Sequence, residues 1–203
     1  WTIQFSDEYD EQIQNINLIV KRIFGIEGKT IRKENMSELH VYSKAIILFL
    51  NKCFGFERGF KQNLRVPAII KESSSLSLSF LRGFFDSDGG LVRIEEYKEI
   101  PTWVKRDPRI ELSQKEDLIL LEMKEILGHS GIKSLGPYYH KGNKGYRIIL
   151  RGKKSLLRTM ELQLFRHPIK EKRLKMVCSK FFLNNASVAQ PGRALPWYLK
   201  TKR

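Results

Sequence analysis

The chain has 203 residues, 41% hydrophobic and 11% aromatic, enough apolar material to close a buried core. Its 37 lysines and arginines outnumber 22 aspartates and glutamates, and the formal net charge of +15 points to a polyanionic partner engaged by phosphate neutralisation and counterion release. Cys53 and Cys178 stand far apart without CxxC spacing, which excludes a zinc ribbon or disulfide scaffold and predicts an intracellular, reducing compartment. No apolar run approaches the roughly 18–20 residues of a membrane span, and no signal peptide opens the chain, so no membrane partner is expected. The first residue is Trp1 rather than Met, which predicts a processed chain or a fragment.

In chain order, TIQFS alternates as a strand. DEYDEQIQNINLIVKRIFG follows, with Ile13, Ile16, Ile19, Val20 and Ile23 on a helical stripe. KTIRKEN and SELHVYS read as a hairpin pair, and SKAIILFLNKCFG as a helix capped by Ser43. The order then recurs. RIELSQ is a strand, KEDLILLEMKEILG a helix, SLGPYYH and GYRIILR a hairpin around KGNKG, and KKSLLRTMELQLF a helix. With Ser6 aligned to Ser113, 37 residues separate Ser6 from Ser43 and 39 separate Ser113 from Gly152, which predicts an internal repeat. The second copy is preceded by a helix ending in FLRGFFDSDGG and by a strand, LVRIEEY. Residues 184–203 turn small, polar and Pro/Gly-containing and read as a mobile extension.

The segment FLRGFFDSDGG joins an apolar helix to two carboxylates and two glycines. Leu81, Phe84 and Phe85 predict a buried face, Gly83 a close approach of another backbone, and Gly89 and Gly90 an exit with positive φ. A carboxylate ending a packed helix is held rigidly, as a metal ligand must be. An isolated DxDG reads first as an ordinary helix end with solvated acids; the longer match favours the metal-ligand reading. Leu81 to Gly89, LRGFFDSDG, resembles LAGLIDADG position by position, the signature of the LAGLIDADG homing endonucleases.

That resemblance implies an α+β fold of αββαββα repeats, with curved antiparallel sheets forming a DNA-binding saddle and two motif helices packed together at the centre. It implies a monomer with two pseudo-symmetric repeats. Residues 1–72 would be the C-terminal part of a first repeat lacking its motif helix, residues 73–183 a complete second repeat, and residues 184–203 an extension. It further implies that Asp88 binds catalytic Mg²⁺, or another divalent cation, and that Asp86 is structural. Leu81, Gly83, Phe84 and Gly89 would form the helix interface. Lys61 in GFKQNLRVP and Lys170 in RHPIKEKRL fall together when the repeats are aligned, 55 and 57 residues after Ser6 and Ser113. Both match the family's lysine near the active site, with Lys172 as rival to Lys170. Gln114 matches the polar residue that positions water. Asp7 occupies the aligned place and reads equally as an acid at a helix N-terminus.

Strand residues Arg93, Lys98, Arg109, Tyr139, Lys141 and Arg147 are candidates to contact double-stranded DNA, bases in the major groove among them. The resemblance predicts a site-specific endonuclease that cuts both strands and promotes intron or intein mobility; the chain itself carries one of the two motif aspartates. The family also contains RNA-binding intron maturases, so intron RNA stays open as a partner, as does a catalytically inactive DNA-binding remnant. His40, His129, His140 and His167 lack the spacing of a zinc or His-Asn-His site. Glu122-Met123-Lys124 falls in an amphipathic helix and reads as solvated charge.

Overall fold

Two units with the same internal order make up most of the chain. The computed structural model describes residues 1–56, 64–93, 96–142 and 144–183. The first unit runs β1 (Thr2–Asp7), α1 (Asp10–Phe24), β2 (Lys29–Arg32), β3 (Ser37–Tyr42) and α2 (Lys44–Phe54). After α3 (Ala68–Lys71) and α4 (Ser74–Asp88) come β4 (Gly89–Leu91), α5 (Thr102–Arg106), β5 (Arg109–Gln114), α6 (Asp117–His129), β6 (Ser134–His140), β7 (Gly145–Arg151), α7 (Lys153–Glu161) and α8 (Pro168–Cys178). A π-helical turn, Ser179–Leu183, follows directly.

Local chemistry sets the helix ends. The Ser43 hydroxyl accepts from the Ile46 amide at 3.2 Å, capping α2 as expected. Gly25 and Gly55 close α1 and α2 in the left-handed region, at φ 67° and 68°, where a side chain would be strained. Ser73 caps α4 through the Leu76 amide.

All strand pairs are antiparallel, in the orders β1-β3-β2 and β4-β5-β7-β6. The first sheet therefore reproduces β5-β7-β6 and, among the described residues, has no counterpart of β4. Register reproduces the internal alignment. Ser6 lies opposite Glu38 and Asp7 opposite Ser37 at the end of β1, as Ser113 lies opposite Arg147 and Gln114 opposite Tyr146 at the end of β5.

The two cores differ greatly. The second gathers Leu81 and Phe85 from α4, Leu120 and Met123 from α6, Ile148 from β7 and Phe165 ahead of α8, all at or near zero exposure. The first is small: Ile13, Val20, Leu39, Val41 and Ile46. Aligned through the two serines, Ile126 of α6 is 7% exposed while its counterpart Ile19 on α1 is 48% exposed. The physical reason is the apolar helix α4, which shares the core with Ile126 and has no counterpart in the first unit among the described residues.

Four expectations are corrected. Strand structure in LVRIEEY reaches only Leu91 among the described residues, and α5 was not foreseen. Residues 64–71 pack with the second core through Leu64, Val66 and Ile70, ahead of the expected division at 72/73. Leu81 and Phe84 are buried in their own unit's core, and among the described residues nothing lies within 4 Å of a methyl added at exposed Gly83, so the close backbone approach expected at Gly83 is not made by them. Gly89 leaves α4 at φ −75°, not positive φ, and Gly90 also lacks positive φ. Crowding is what demands glycine at position 89: a Cβ there would sit 2.4 Å from the Phe85 carbonyl oxygen and 2.8 Å from Phe165 Cε1.

Candidate active site at the foot of the motif helix

Phe85, fully buried, fixes the last turn of α4 through an edge-on ring contact with Phe165, centroids 5.3 Å apart. The Arg82 guanidinium ties the same helix to the α7–α8 connection by donating to the Leu162 and Gln163 carbonyls at 3.0 and 3.3 Å. These contacts bring the residues just ahead of α8 against the end of α4.

The two motif aspartates then do different things. Asp86 Oδ1 accepts from the backbone amides of Arg166 and His167, both at 2.8 Å. Burial pushes its carboxyl above the ordinary aspartate range, an effect the two amides oppose. Asp88 is exposed at the helix terminus, and its Oδ2 accepts from the Ser87 hydroxyl at 3.0 Å and the Gln114 amide at 3.2 Å.

Lys170 reaches back from α8 to the end of α4. Its ammonium donates to the carbonyls of Phe85 (3.4 Å), Asp86 (2.5 Å) and Ser87 (3.1 Å). Burial lowers its affinity for the proton, opposed by the carboxylates of Asp7, Asp86 and Asp88. Lys172, the rival position, is exposed on α8. Lys61 lies outside the described residues, as does the 184–203 extension.

Asp7 joins the first unit to this point. Its Oδ1 accepts from the Tyr9 amide at 2.8 Å and lies 3.4 Å from Nε2 of His167, whose ring is almost fully buried. His167 Nδ1 accepts from the Ile169 amide, so Nε2 carries the proton and donates to Asp7. Tyr9 stacks edge-on against His167 at 5.2 Å and its hydroxyl accepts from Arg173. Sequence reasoning missed His167, Arg166 and Arg173 because their partners lie 80 or more residues away along the chain; the Asp in DSDG was the only local signal.

Two open clefts meet at Asp88. One of about 230 Å³ is bounded by Asp88, Glu111, Gln114, His140, Tyr146 and Arg147. The other, about 450 Å³, runs towards the first unit past Asp7, Tyr9, Arg93, His167 and Lys170. On the outer sheet face Arg109 and Arg147 both pair with Glu111, at 2.8 and 2.9 Å. Tyr139 is exposed on β6 and stacks against Tyr146. Arg93 pairs with Glu96 and with Glu8 of the first unit. Arg93, Lys98 and Lys141 lie off the strands, contrary to expectation, although all three are exposed. Glu122 is no part of a catalytic ExK: it accepts from the Val66 amide at 2.7 Å and from Lys71 at 2.9 Å, anchoring the segment that leads into α4.

Among the described residues no three His, Cys, Asp or Glu side chains converge as a metal cage. The donor set suits Mg²⁺ nonetheless. That ion keeps several waters and is held by one or two carboxylates together with phosphate oxygens, and Asp88 presents one carboxylate, braced by an amide, at an open cleft.

Residues 75–162 match the family described as LAGLIDADG-like domain. The homing endonuclease I-GzeII, solved in complex with its DNA target, has the same fold with a TM-score of 0.57 at 13% identity, over 94% of this chain and 83% of that one. The homing endonuclease I-DmoI, solved with DNA and Ca, gives a TM-score of 0.57 at 12% identity over 86% and 83%. The architecture is thus that of the LAGLIDADG homing endonucleases. Residues 75–162 thus carry a LAGLIDADG-like domain, in a chain that shares this fold. In sequence it is also similar to the tRNA-splicing ligase RtcB of Pyrococcus furiosus, 28% identical over 133 residues, which is 64% of this chain and 13% of the ligase. The chain therefore spans only a small part of that curated relative's length.

Proposed function

We propose that the protein is a site-specific, divalent-metal-dependent DNA endonuclease of the homing type, whose cutting promotes the mobility of an intron or intein. The observation that carries this reading is the Asp88–Gln114 pair at the end of a buried helix, beside a sheet face bearing Arg109 and Arg147. The net charge of +15 supports DNA as the polyanion. The fold supports it too, since I-GzeII and I-DmoI were solved bound to DNA, the latter with Ca or Mn. The ligase activity of the Pyrococcus relative is not assigned to this chain, which matches 13% of it.

Asp88 would hold the cation, with Gln114 keeping the carboxylate in place. When bound, a divalent ion polarises a phosphoryl oxygen and makes a nucleophile of water near neutral pH. The remaining work falls to the protein. Gln114, whose amide carries both donor and acceptor atoms, can orient a water beside Asp88. The arginines of the sheet bind phosphates and base edges, fixing the duplex across the two clefts. Asp86 lines neither cleft at Asp88, and its Oδ1 is engaged by two backbone amides, which favours a structural role.

One observation favours a second reading, binding without cleavage: the given sequence holds a single LAGLIDADG-like motif, and Asp88 is the one carboxylate of that motif placed at a cleft. Cleaving each strand calls for a carboxylate at each phosphate, so the chain alone is expected to nick rather than to break duplex DNA. The deciding experiment incubates the purified chain with supercoiled plasmid libraries and Mg²⁺, with EDTA and Asp88→Asn as controls. Magnesium-dependent relaxation that Asp88→Asn abolishes supports the nuclease. DNA binding with no nicking at any metal concentration supports the binding reading.

A further inference from the structure

Lys170 is placed by sequence as a lysine for the chemistry, yet its ammonium is occupied by three main-chain carbonyls of the α4 terminus. The carbonyls of Asp86 and Ser87 are ones that a helix leaves without intrahelical partners, that of Phe85 also accepts from the Gly89 amide, and together they lie at the negative end of the helix dipole. In return, α4 sends Asp86 to the amides of Arg166 and His167 at the entry to α8. Each helix thus holds the backbone at the adjoining end of the other with a charged side chain, Lys170 on the last carbonyls of α4 and Asp86 on the two amides that lead into α8.

The geometry points to Lys170 and Asp86 as positioning residues that aim the Asp88 carboxylate through this reciprocal cap; the proposal rests on the metal-binding reading of Asp88. The mechanical link is short. The Ser87 carbonyl and the Asp88 nitrogen share one rigid peptide plane. Anchoring the Ser87 oxygen on Lys170 therefore fixes the plane from which Asp88 leaves the helix. On the other side the chain is held by Gly89, whose amide donates to the Phe85 carbonyl and whose α-carbon is wedged against Phe165. Asp88 sits between two clamped peptides, so its side chain has little freedom beyond its own rotamers. The cap also reaches the first unit, because His167, whose amide Asp86 holds, donates to Asp7. Placement of Asp88 is thereby tied to the docking of β1 against α8.

The test uses the full chain labelled with ¹⁵N and Mn²⁺ alone as probe, reading paramagnetic broadening of the Asp88, Gly89 and Gln114 amides. In the wild type these signals broaden first, and Asp88→Asn removes the effect. Lys170→Met, which keeps the stem and loses the charge, is expected to need at least about tenfold more Mn²⁺, the usual cost of losing a partner behind a metal ligand. Lys170→Arg, which restores a cation at the helix end, is expected to recover most of that loss. If Lys170→Met does not fold, Asp86→Asn and Asp86→Ala replace it: asparagine keeps an acceptor for the two amides and stays near wild type, and alanine shows the tenfold loss. Wild-type Mn²⁺ response in Lys170→Met, or equal responses in the two Asp86 variants, overturns the proposal and leaves the metal reading intact. Broadening absent from the wild type, or unchanged by Asp88→Asn, overturns the metal reading and the proposal with it.

Discussion

Gln114 donates its side-chain amide to Asp88 Oδ2 over 3.2 Å, joining the end of β5 to the end of α4. The two residues are 26 positions apart and meet because β4 continues directly from the helix and pairs with β5, Gly89 opposite Leu112. Gln114→Ala removes the brace without removing a ligand. We predict nicking slowed by about 10- to 100-fold with DNA affinity in Ca²⁺ unchanged; Asp88→Asn should abolish nicking. Single-turnover rates beside binding isotherms check both.

The two glycines of the motif should respond in opposite senses. Gly83 is an exposed mid-helix residue with none of the described residues within 4 Å of an added methyl, so Gly83→Ala is predicted to stabilise by about 0.5–1 kcal/mol through helix propensity. Gly89→Ala must displace the Phe85 carbonyl or Phe165 and is predicted to cost about 1–3 kcal/mol. Urea unfolding of both variants reads the difference. Destabilisation by Gly83→Ala would show that a helix packs on that face in solution.

Glu122 predicts a specific pH dependence. Burial alone would raise its carboxyl, but Lys71, the Val66 amide and Arg65 together hold it below the ordinary value of 4.5. A group lowered in the folded state binds fewer protons there than in the unfolded chain. Its contribution is therefore fully present above about pH 4.5 and is lost as pH falls through the folded value. Glu122→Gln should flatten the fall in stability below pH 4.5, and Glu122→Ala should cost about 1–3 kcal/mol at pH 7 by stranding the buried Val66 amide. Thermal unfolding across pH 3–7 measures both.

On the sheet face, Glu111 neutralises Arg109 and Arg147. Glu111→Gln is predicted to tighten non-specific DNA binding and to steepen its salt dependence, by a slope of about 0.9 for each extra phosphate contact. Arg147→Ala should act the other way. Fluorescence anisotropy with a random duplex at several salt concentrations distinguishes these outcomes.

The strands and helices of both units were legible because their apolar periods are regular, and Ser6 and Ser113 aligned the repeat to the register later found in the sheets. The site was legible only in part. LRGFFDSDG located Asp88, and the residue after Ser113 located Gln114. The partition of work between Asp86 and Asp88 could be taken only from a family resemblance, since nothing in DSDG states that Asp86 meets amides 80 and 81 positions further on. Glycine at position 89 was foreseen for the wrong reason, because crowding by Phe165 is a contact across the fold.

By itself the sequence determined the elements, the repeat, the basic charge and the placing of a carboxylate at the end of an apolar helix, because each of these is written in local spacing and composition. Tertiary structure alone decided that Lys170 caps that helix, that His167 links it to Asp7, and that none of the described residues packs against α4 at Gly83. Those facts depend on which surfaces meet when distant segments pack, and hydrogen bonds between residues more than 80 positions apart leave no periodic trace along the chain.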